Sequence, residues 1–251
     1  MNVYEGVRGV VLAGGEGKRL RPLSYYFQKC MIPVGKRQKP LLEYVIRLLR
    51  FHGVQDISLL VGYKCEQIRN YFEDGTRFGV RLTYLEDEPS TKGTGSALLK
   101  LREGNSLQGP LLVYYGDILS NVDLGELLDF HRKMGADATL ALARGYQVPV
   151  GVAEVDGGKV KGWVEKPTLD LHAGIGVLVV ESRALNEFEG LGKVGEELDI
   201  TKDFVSHMVK TGRTVCAYVT DRFWYDVGTT ERYEKLDNGA VEKNFNYLFG
   251  Y

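Results

Sequence analysis

The first half of the chain alternates between short apolar runs and longer stretches whose apolar residues recur at helical spacing. Four of the short runs predict buried strands, at residues 9–13, 57–61, 81–86 and 111–115. Helical spacing is found at residues 41–49, 65–72 and 94–101. Asp123 followed by Glu126 has the spacing of a capping box and predicts another helix start. Strands alternating with helices indicate a largely parallel sheet covered by helices on both faces.

The pattern changes after about residue 138, where strand-like runs follow one another with short turns. They predict strands at residues 138–144, 151–155, 160–165 and 174–180, and Asp156-Gly157-Gly158 is typical of a hairpin turn. A helix near residues 199–210 and a strand at residues 215–219 follow. The second half is therefore expected to form mixed sheet against the first half. Because no linker or repeat interrupts the chain, we predict one domain over residues 1–251.

A glycine-rich segment, Gly14-Gly15-Glu16-Gly17-Lys18-Arg19-Leu20, follows the first predicted strand. Its glycines let backbone N–H groups approach an anion closely, and Arg19 can add two hydrogen bonds to phosphate oxygens. It is not a Walker A loop, because it lacks the Gly-Lys-Ser/Thr ending. Nor is it the dinucleotide fingerprint, because Leu20 stands where the third glycine belongs. Considered alone, it fits a tight strand-to-helix turn equally well. Ligands of such sheets lie beyond the carboxyl ends of the strands, so this segment and Gly116-Asp117 should share one edge.

Composition restricts the classes of function. The 251 residues are 44% hydrophobic and 26% charged, as in ordinary globular proteins, and the net charge of -1 argues against nucleic-acid binding. Cys30, Cys65 and Cys216 are far apart and lack zinc spacing, which favours a reducing compartment. No apolar run reaches the roughly 18 residues of a membrane span. We expect a cytoplasmic protein without nucleic-acid or membrane partners.

A longer pattern extends from the glycine-rich segment. It runs Leu12-Ala13-Gly14-Gly15-Glu16-Gly17-Lys18-Arg19-Leu20-Arg21-Pro22-Leu23-Ser24, then Lys29, then Ile32-Pro33-Val34-Gly35. This pattern resembles the signature L-A-G-G-x-G-x-R-L-x-P-L-T of the sugar-1-phosphate nucleotidyltransferase (NDP-sugar pyrophosphorylase) family, in which P-K-P follows. Gln28-Lys29-Cys30 departs from Pro-Lys-Pro, so the lysine is kept without its rigid flanks. Lys39-Pro40-Leu41 offers an alternative alignment for that lysine.

Later motifs of the same family recur in the expected order. Tyr115-Gly116-Asp117 resembles the G-D motif, and Tyr225-Asp226-Val227-Gly228-Thr229 resembles D-V-G-T. Val164-Glu165-Lys166-Pro167 matches E-K-P, and His172-Ala173-Gly174-Ile175 resembles N-A-G-I with His172 in place of Asn. Each motif alone has a structural explanation: a turn aspartate, a helix cap or a solvated charge pair. Together they extend the resemblance over almost the whole chain.

The resemblance implies a Rossmann-like three-layer α/β/α fold with a mostly parallel mixed central sheet. Residues 1–137 would bind the nucleotide, and residues 138–251 would bind the sugar phosphate. The implied reaction is attack by a sugar 1-phosphate oxygen on the α-phosphorus of an NTP, with release of pyrophosphate. A phosphate monoester has its second pKa near ~6 and is already ionised at neutral pH, so no general base is required. Two carboxylates with triphosphate oxygens suit Mg²⁺ as cofactor.

The resemblance assigns roles to individual residues. Arg19, Lys29 and Asp117 are the expected catalytic residues, and Asp117 with Asp226 are the expected metal ligands. The expected nucleotide-binding residues are Leu12, Ala13, Gly14, Gly15, Gly17, Lys18, Glu88, Gly93 and Thr94. The expected sugar-phosphate-binding residues are Gly151, Glu165, Lys166, His172 and Gly174.

The segment at residues 86–97 resembles the part of the family that recognises the base. Uridylyl and thymidylyl members carry Gln a few residues before the glycine that corresponds to Gly93, whereas this chain has Glu88. A carboxylate only accepts hydrogen bonds, and guanine presents two adjacent donors. This favours GTP with mannose 1-phosphate. UTP or dTTP with glucose 1-phosphate is the alternative, because Gly93-Thr94-Gly95 also resembles uridylyl members.

Two other classes of function are considered. A catalytically silent regulatory paralogue is favoured by the departures Gln28, Cys30 and His172. It is opposed by the intact residues Arg19, Lys29, Asp117, Lys166 and Asp226. A nucleotide-sugar-dependent glycosyltransferase would need a D-x-D motif, which Gly116-Asp117-Ile118-Leu119 lacks. The chain ends without the hexapeptide repeats of some members, so a short form is expected. Its aromatic end, residues 245–251, either packs on the body or forms a homo-oligomer contact.

Overall fold

The computed structural model describes residues 6–88, 93–103, 107–148, 150–188, 191 and 197–250. The strands are β1 (Arg8–Ala13), β2 (Pro33–Val34), β3 (Lys39–Pro40), β4 (Asp56–Val61), β5 (Arg81–Glu86), β6 (Pro110–Tyr115), β7 (Ile118–Ser120), β8 (Ala138–Gln147), β9 (Val152–Asp156), β10 (Lys159–Val164), β11 (Thr168–Glu181), β12 (Val215–Thr220) and β13 (Trp224–Asp226). The α-helices are α1 (Leu41–Phe51), α2 (Cys65–Phe72), α3 (Gly93–Glu103), α4 (Leu124–Met134), α5 (Ser206–Lys210), α6 (Thr230–Glu234) and α7 (Asn238–Phe245).

A seven-stranded sheet in the order β12-β8-β11-β6-β1-β4-β5 forms the centre of the described fold. The strands β6, β1, β4 and β5 are mutually parallel, and β12 is parallel to β8. Only β11 runs antiparallel to its sheet neighbours β6 and β8. The predicted α/β fold with a mostly parallel mixed sheet is therefore confirmed.

Helices cover both faces of this sheet. Val11 of β1 belongs to a buried cluster with α1, α2, α4 and α7, whereas Val10 belongs to a cluster with α3 and α5 on the opposite face. Both valines are 0% exposed. Parallel strands that are covered on both faces must be apolar on both faces, which explains why β1 is a continuous apolar run.

The predicted helix start at Asp123 is confirmed. The Asp123 carboxylate accepts hydrogen bonds from the backbone N–H groups of Gly125 and Glu126, at 2.9 and 3.0 Å. These bonds satisfy two of the amide groups that have no partner inside the first turn of a helix. At the other end of α4, Gly135 adopts the left-handed conformation, with φ of 58°.

The second half forms the predicted hairpin and mixed sheet. Gly157 and Gly158 connect β9 to β10 and both have positive φ, as a two-residue type I′ turn requires. β11 is longer than predicted, because its first residues also pair with β8. The predicted helix near residues 199–210 begins as a π-helical segment, Ile200–Val205, capped by Asp199, and continues as α5.

The aromatic end of the chain packs against α1. Phe245 and Leu248 are buried, and the rings of Phe245 and Phe249 contact the Tyr44 ring edge-on at 5.5 and 5.0 Å. Tyr251 lies outside the described residues. Within the described ranges, no helix is long and apolar enough to cross a lipid bilayer.

Candidate active site

The glycine-rich segment lies beyond the carboxyl end of β1 and opens a cleft of about 610 Å³. Gly17 has φ of 63°, a conformation that glycine adopts at little cost. A Cβ at Gly17 would lie 3.2 Å from the Cβ of Lys29, so a small residue also lets the loop pack closely against this lysine. The loop continues into a 3₁₀ turn, Lys18–Leu20, whose Leu20 is fully buried. This burial fixes the position of the exposed Lys18 and Arg19.

The cleft brings together most of the predicted catalytic and nucleotide-binding residues. Those that line it are Leu12, Ala13, Gly14, Gly15, Gly17, Lys18, Arg19, Lys29, Gly93, Thr94 and Asp117. Residues not assigned a role from the sequence also line it, namely Glu16, Cys30, Leu60, Asp87, Ala97, Tyr115, Glu197 and Gly228. The sequence places the glycine-rich segment and Asp117 at one edge of the sheet, and in the structure both line the same cavity.

Lys29 and Asp117 form an ion pair inside the cleft. The Lys29 ammonium donates a hydrogen bond to Asp117 Oδ2, and the side chains are only 14% and 20% exposed. At this degree of burial the pair is less screened by solvent than a surface pair. A cation and a carboxylate thus lie together opposite the glycine-rich loop.

Gln28 holds the lysine-bearing turn in place of the expected proline. Its side-chain amide donates to the Ala13 carbonyl at 2.7 Å and accepts from the Cys30 N–H at 2.6 Å. Its own N–H donates to Gln67 Oε1 at 2.7 Å. Gln28 is 0% exposed, so these bonds are shielded from water. Burial raises the pKa of the neighbouring Cys30 to about 12, which leaves a neutral thiol at physiological pH.

Asp226 is positioned by the pairing of β13 with β7. The Val227 N–H donates to the Asp117 carbonyl at 3.1 Å, which ties the two carboxylate-bearing segments together. Arg232 donates to Asp226 Oδ2 at 2.6 Å. A Cβ on Gly228 would lie 2.8 Å from Asp226 Oδ1, so glycine is needed beside this carboxylate. In the described part of the chain, no three His, Cys, Asp or Glu side chains form a metal cluster.

The predicted sugar-phosphate residues do not line the cleft. They lie on or next to the β9–β10 hairpin and the first part of β11, and are Gly151, Glu165, Lys166, His172 and Gly174. The ring of Trp163 covers Gly151 so closely that a Cβ there would overlap it. Lys166 has φ of 48° in the turn after β10. Lys166 acts electrostatically on Glu231. Thr230, the neighbour of Glu231, donates hydrogen bonds to the carbonyls of Arg19 and Arg21 next to the glycine-rich loop.

Glu88, the predicted base-recognition residue, also lies outside the cleft. Its carboxylate accepts a hydrogen bond from Lys100 at 2.5 Å, and its side chain is 63% exposed. Asp87 lines the cleft instead, because successive residues of an extended strand point to opposite faces. Residues 89–92 of the predicted base-recognition segment lie outside the described residues.

Residues 8–243 match the sequence model of a family described as nucleotidyl transferase. The chain belongs to the nucleotidyl transferase family. It is 31% identical, over 94% of its length, to a UTP–glucose-1-phosphate uridylyltransferase of Synechocystis. It is also 31% identical, over 90% of its length, to a mannose-1-phosphate guanylyltransferase of Mycobacterium tuberculosis. The chain spans 64% and 62% of the lengths of these two relatives.

A solved structure from Bacillus anthracis has the same fold. It is described as a glucose-1-phosphate thymidylyltransferase in complex with sucrose, and it is 23% identical to this chain. The alignment covers 96% of this chain and 99% of that one, with a TM-score of 0.76. This likeness supports the three-layer α/β/α architecture.

Among the lining residues that had no role from the sequence, Asp87 and Tyr115 bring polar groups to the cleft wall. Asp87 follows Leu85 at the two-residue spacing of one strand face, so counting along β5 favours Asp87 over Glu88. Tyr115 was identified only as part of the Y-G-D motif. Its hydroxyl is buried, and although the Thr94 and Thr201 hydroxyls lie close to it, it makes no hydrogen bond of good geometry with the described residues. Buried hydroxyls are ordinarily paired, so a hydroxyl in the cleft wall without a well-formed hydrogen bond is notable.

Proposed function

We propose that this protein transfers a nucleotidyl group from an NTP to a sugar 1-phosphate, giving an NDP-sugar and pyrophosphate. One observation supports this most strongly: the glycine-rich loop, Lys29 and Asp117 meet in a single cleft at the carboxyl ends of β1 and β6. Binding beyond these strand ends is typical of open α/β sheets. The mixture of backbone donors, cations and a carboxylate suits phosphate groups and a bound metal ion.

In the proposed reaction a sugar-phosphate oxygen forms a bond to the α-phosphorus, and the bond from that phosphorus to the β-phosphate oxygen breaks. The nucleophile is already ionised, so this chain needs to position and neutralise charge rather than remove a proton. The backbone N–H groups of the loop, with Arg19, would bind the triphosphate. Lys29 would neutralise negative charge near the reacting phosphorus. No nucleophilic side chain is required, which agrees with the neutral Cys30 thiol.

Two carboxylates suit Mg²⁺ by their chemistry, Asp117 in the wall of the cleft and Asp226 just outside its lining. Asp117 and Asp226 are carboxylates on segments joined by a backbone hydrogen bond, and both lie next to cationic side chains. Mg²⁺ commonly takes one or two protein carboxylates and completes its shell with phosphate oxygens and water. Asp117 and Asp226 would hold the ion. When bound, it would neutralise charge on the phosphate oxygens.

The sugar phosphate would bind on the hairpin side of the molecule. Lys166 would contact its phosphate, Glu165 and His172 its hydroxyls, and Gly151 and Gly174 would allow close approach of the backbone. Relatives named for uridylyl and guanylyl transfer match this chain equally well by identity. We propose GTP with mannose 1-phosphate, and UTP or dTTP with glucose 1-phosphate is the alternative to be tested.

Pyrophosphate release tests the activity. The protein is incubated with Mg²⁺ and each NTP in turn, against a panel of sugar 1-phosphates, and one pair is expected to give the highest kcat/KM. Asp117→Asn should lower kcat at least 10²-fold, the scale of losing one electrostatic group at a reacting centre. Asp129→Asn, an exposed carboxylate on α4, is the matched control and should keep full activity. Nucleotide-sugar binding without turnover would favour the silent regulatory paralogue instead.

A further inference from the structure

One cation beside the expected metal ligand Asp226 has no part in the reaction described above. Arg232 lies on α6, and its backbone is held through both of its polar groups. Its N–H donates to the Thr229 hydroxyl at 3.2 Å, and its carbonyl accepts a hydrogen bond from the Tyr225 hydroxyl at 2.6 Å. Because Tyr225 and Thr229 lie on either side of Asp226 in the sequence, these bonds fix the position of Arg232 relative to this carboxylate.

The Arg232 guanidinium contacts both Asp226 and Tyr225. Its Nη1 donates to Asp226 Oδ2 at 2.6 Å, and its carbon lies 5.9 Å from the centre of the Tyr225 ring. An aromatic face at this distance stabilises a cation. The side chains of Arg232 and Asp226 are 42% and 28% exposed, so a small ion can reach the carboxylate from solvent.

Each of the two expected metal ligands is therefore paired with a cation of this chain. Lys29 pairs with Asp117, and Arg232 pairs with Asp226. The charges of the two carboxylates and the two cations cancel. A divalent ion gains binding energy from negative charge on its oxygen ligands, and a cation already bonded to those oxygens opposes it. These four side chains alone should consequently bind a metal ion weakly.

The helix that carries Arg232 is attached to the glycine-rich loop. The Thr230 hydroxyl donates to the Arg21 carbonyl at 3.1 Å. The 3₁₀ turn just before Arg21 is anchored in turn by the fully buried Leu20. The backbone of Arg232 thus stays next to Asp226, and a change of partner would involve the Arg232 side chain alone.

We infer that Arg232 is a positioning residue that competes with the metal ion for Asp226, so that the ion binds well only together with the triphosphate. The triphosphate brings further negative oxygens, which favour the ion and offer the guanidinium another anionic acceptor. Arg232 acts on the ion through Asp226 and not by touching the reacting atoms. This inference rests on the proposed function, from which the metal role of Asp226 comes.

Binding of Mn²⁺ without nucleotide tests the competition. Electron paramagnetic resonance would measure free Mn²⁺ in titrations of the wild type, Arg232→Gln and Arg232→Lys. Glutamine can still donate a hydrogen bond to Asp226 but carries no charge, whereas lysine keeps the charge. We expect Arg232→Gln to bind Mn²⁺ about fivefold more tightly than the wild type, the scale of losing one partly exposed ion pair. Arg232→Lys should bind Mn²⁺ as weakly as the wild type.

Two controls separate competition from a general effect of charge. Lys235→Gln removes a cation of the same helix whose ion pair with Glu231 is exposed, and it should leave the Mn²⁺ affinity unchanged. Asp226→Asn should remove the gain that Arg232→Gln gives, because the competition acts through this carboxylate. An unchanged or weaker affinity in Arg232→Gln would overturn the inference. So would an equal gain in Lys235→Gln, or a gain that persists when Asp226→Asn is combined with Arg232→Gln.

The link to the triphosphate is tested with inorganic triphosphate, which has no base or sugar. Water proton relaxation would measure how tightly each protein binds the complex of Mn²⁺ with this anion. Arg232→Gln should bind the complex no more tightly than the wild type, because phosphate oxygens then supply most of the negative charge. A gain as large as that for Mn²⁺ alone would overturn the link. Thermal unfolding should show that Arg232→Gln and Arg232→Lys are folded.

The two proposals fail in distinguishable ways. If no sugar 1-phosphate is turned over but Arg232→Gln tightens Mn²⁺ binding through Asp226, the competition stands and the proposed function fails. If pyrophosphate is released and the Mn²⁺ affinity is the same in the wild type and Arg232→Gln, the function stands and the competition fails.

Discussion

At the scale of single residues, Gln28 and Cys30 compensate for one another. Gln28 has φ of −61°, close to the value that proline fixes, so the backbone keeps the course of the family motif. A proline at position 30 would have no N–H, whereas Cys30 has one, and Gln28 Oε1 accepts it at 2.6 Å. Gln28 and Cys30 therefore replace the two prolines of Pro-Lys-Pro as a pair, because the hydrogen bond between them keeps the backbone around Lys29 in place.

This coupling predicts the effect of substitution at Gln28. Gln28→Ala would leave the Cys30 N–H and the Ala13 carbonyl buried without partners, which costs about 2–4 kcal/mol of unfolding free energy. Adding Cys30→Pro to Gln28→Pro should recover part of the stability that Gln28→Pro loses alone. Urea unfolding would measure the unfolding free energies of the single and double variants. Strictly additive losses in the double variant would show that the residues are not coupled.

The buried hydroxyl of Tyr115 gives a second prediction at this scale. Tyr115→Phe removes a buried hydroxyl that makes no well-formed hydrogen bond with the described residues, so the unfolding free energy should stay equal or rise by about 1 kcal/mol. Tyr114→Phe is the matched control on the same strand, because the Tyr114 hydroxyl donates to the Ser120 carbonyl at 3.3 Å. Thermal unfolding should show a loss only in the control. A loss of equal size in Tyr115→Phe would contradict this account.

At the scale of elements, the four strands and the helices predicted in the first half agree with the structure to within one or two residues, whereas the short strands β2, β3 and β7 were not predicted. Fully covered strands must be apolar runs, and amphipathic helices must repeat every three or four residues, so both leave a clear periodicity. No such periodicity marks the three 3₁₀ turns, which span Lys18–Leu20, Leu23–Tyr25 and Lys29–Met31. They could not be predicted because hydrogen bonds such as those of Gln28, rather than a repeating apolar face, hold them.

The cap of α4 is a testable element-scale prediction. Asp123→Ala removes the acceptor for the Gly125 and Glu126 N–H groups and should lower the unfolding free energy by about 1 kcal/mol. Asp129→Ala changes an exposed carboxylate within the same helix and serves as the control. Chemical denaturation would compare the unfolding free energies of Asp123→Ala and Asp129→Ala. Equal effects of the two substitutions would argue against a capping role.

At the scale of the whole molecule, distant parts of the chain build the cleft. Lys29, Asp87, Asp117 and Gly228 meet there from separate loops. Contiguous motifs identified the glycine-rich loop and Asp117 from the sequence. That Asp87 rather than Glu88 lines the cleft was missed, although its two-residue spacing from Leu85 along β5 points to it.

Stability should depend on pH through two buried histidines. Burial lowers the pKa of His52 and His131 in the folded protein, against the partial opposing effects of Asp123 and Glu181. Below the ordinary histidine pKa of about 6.5, the unfolded chain binds protons that the folded chain does not. The unfolding free energy should therefore fall as pH drops from 7.5 through 6.5. Urea titrations at several pH values would check this, and His52→Gln with His131→Gln should flatten the slope.

The antiparallel strand β11 lies between β6 and β8 and joins the two halves of the chain at the middle of the sheet. A fragment that ends near residue 137 would lack β11, so the edge of β6 that β11 covers would expose unpaired amide and carbonyl groups. Such bare edges template intermolecular pairing and precipitation. Split or fragment versions of this protein should consequently be soluble only when both pieces are produced together.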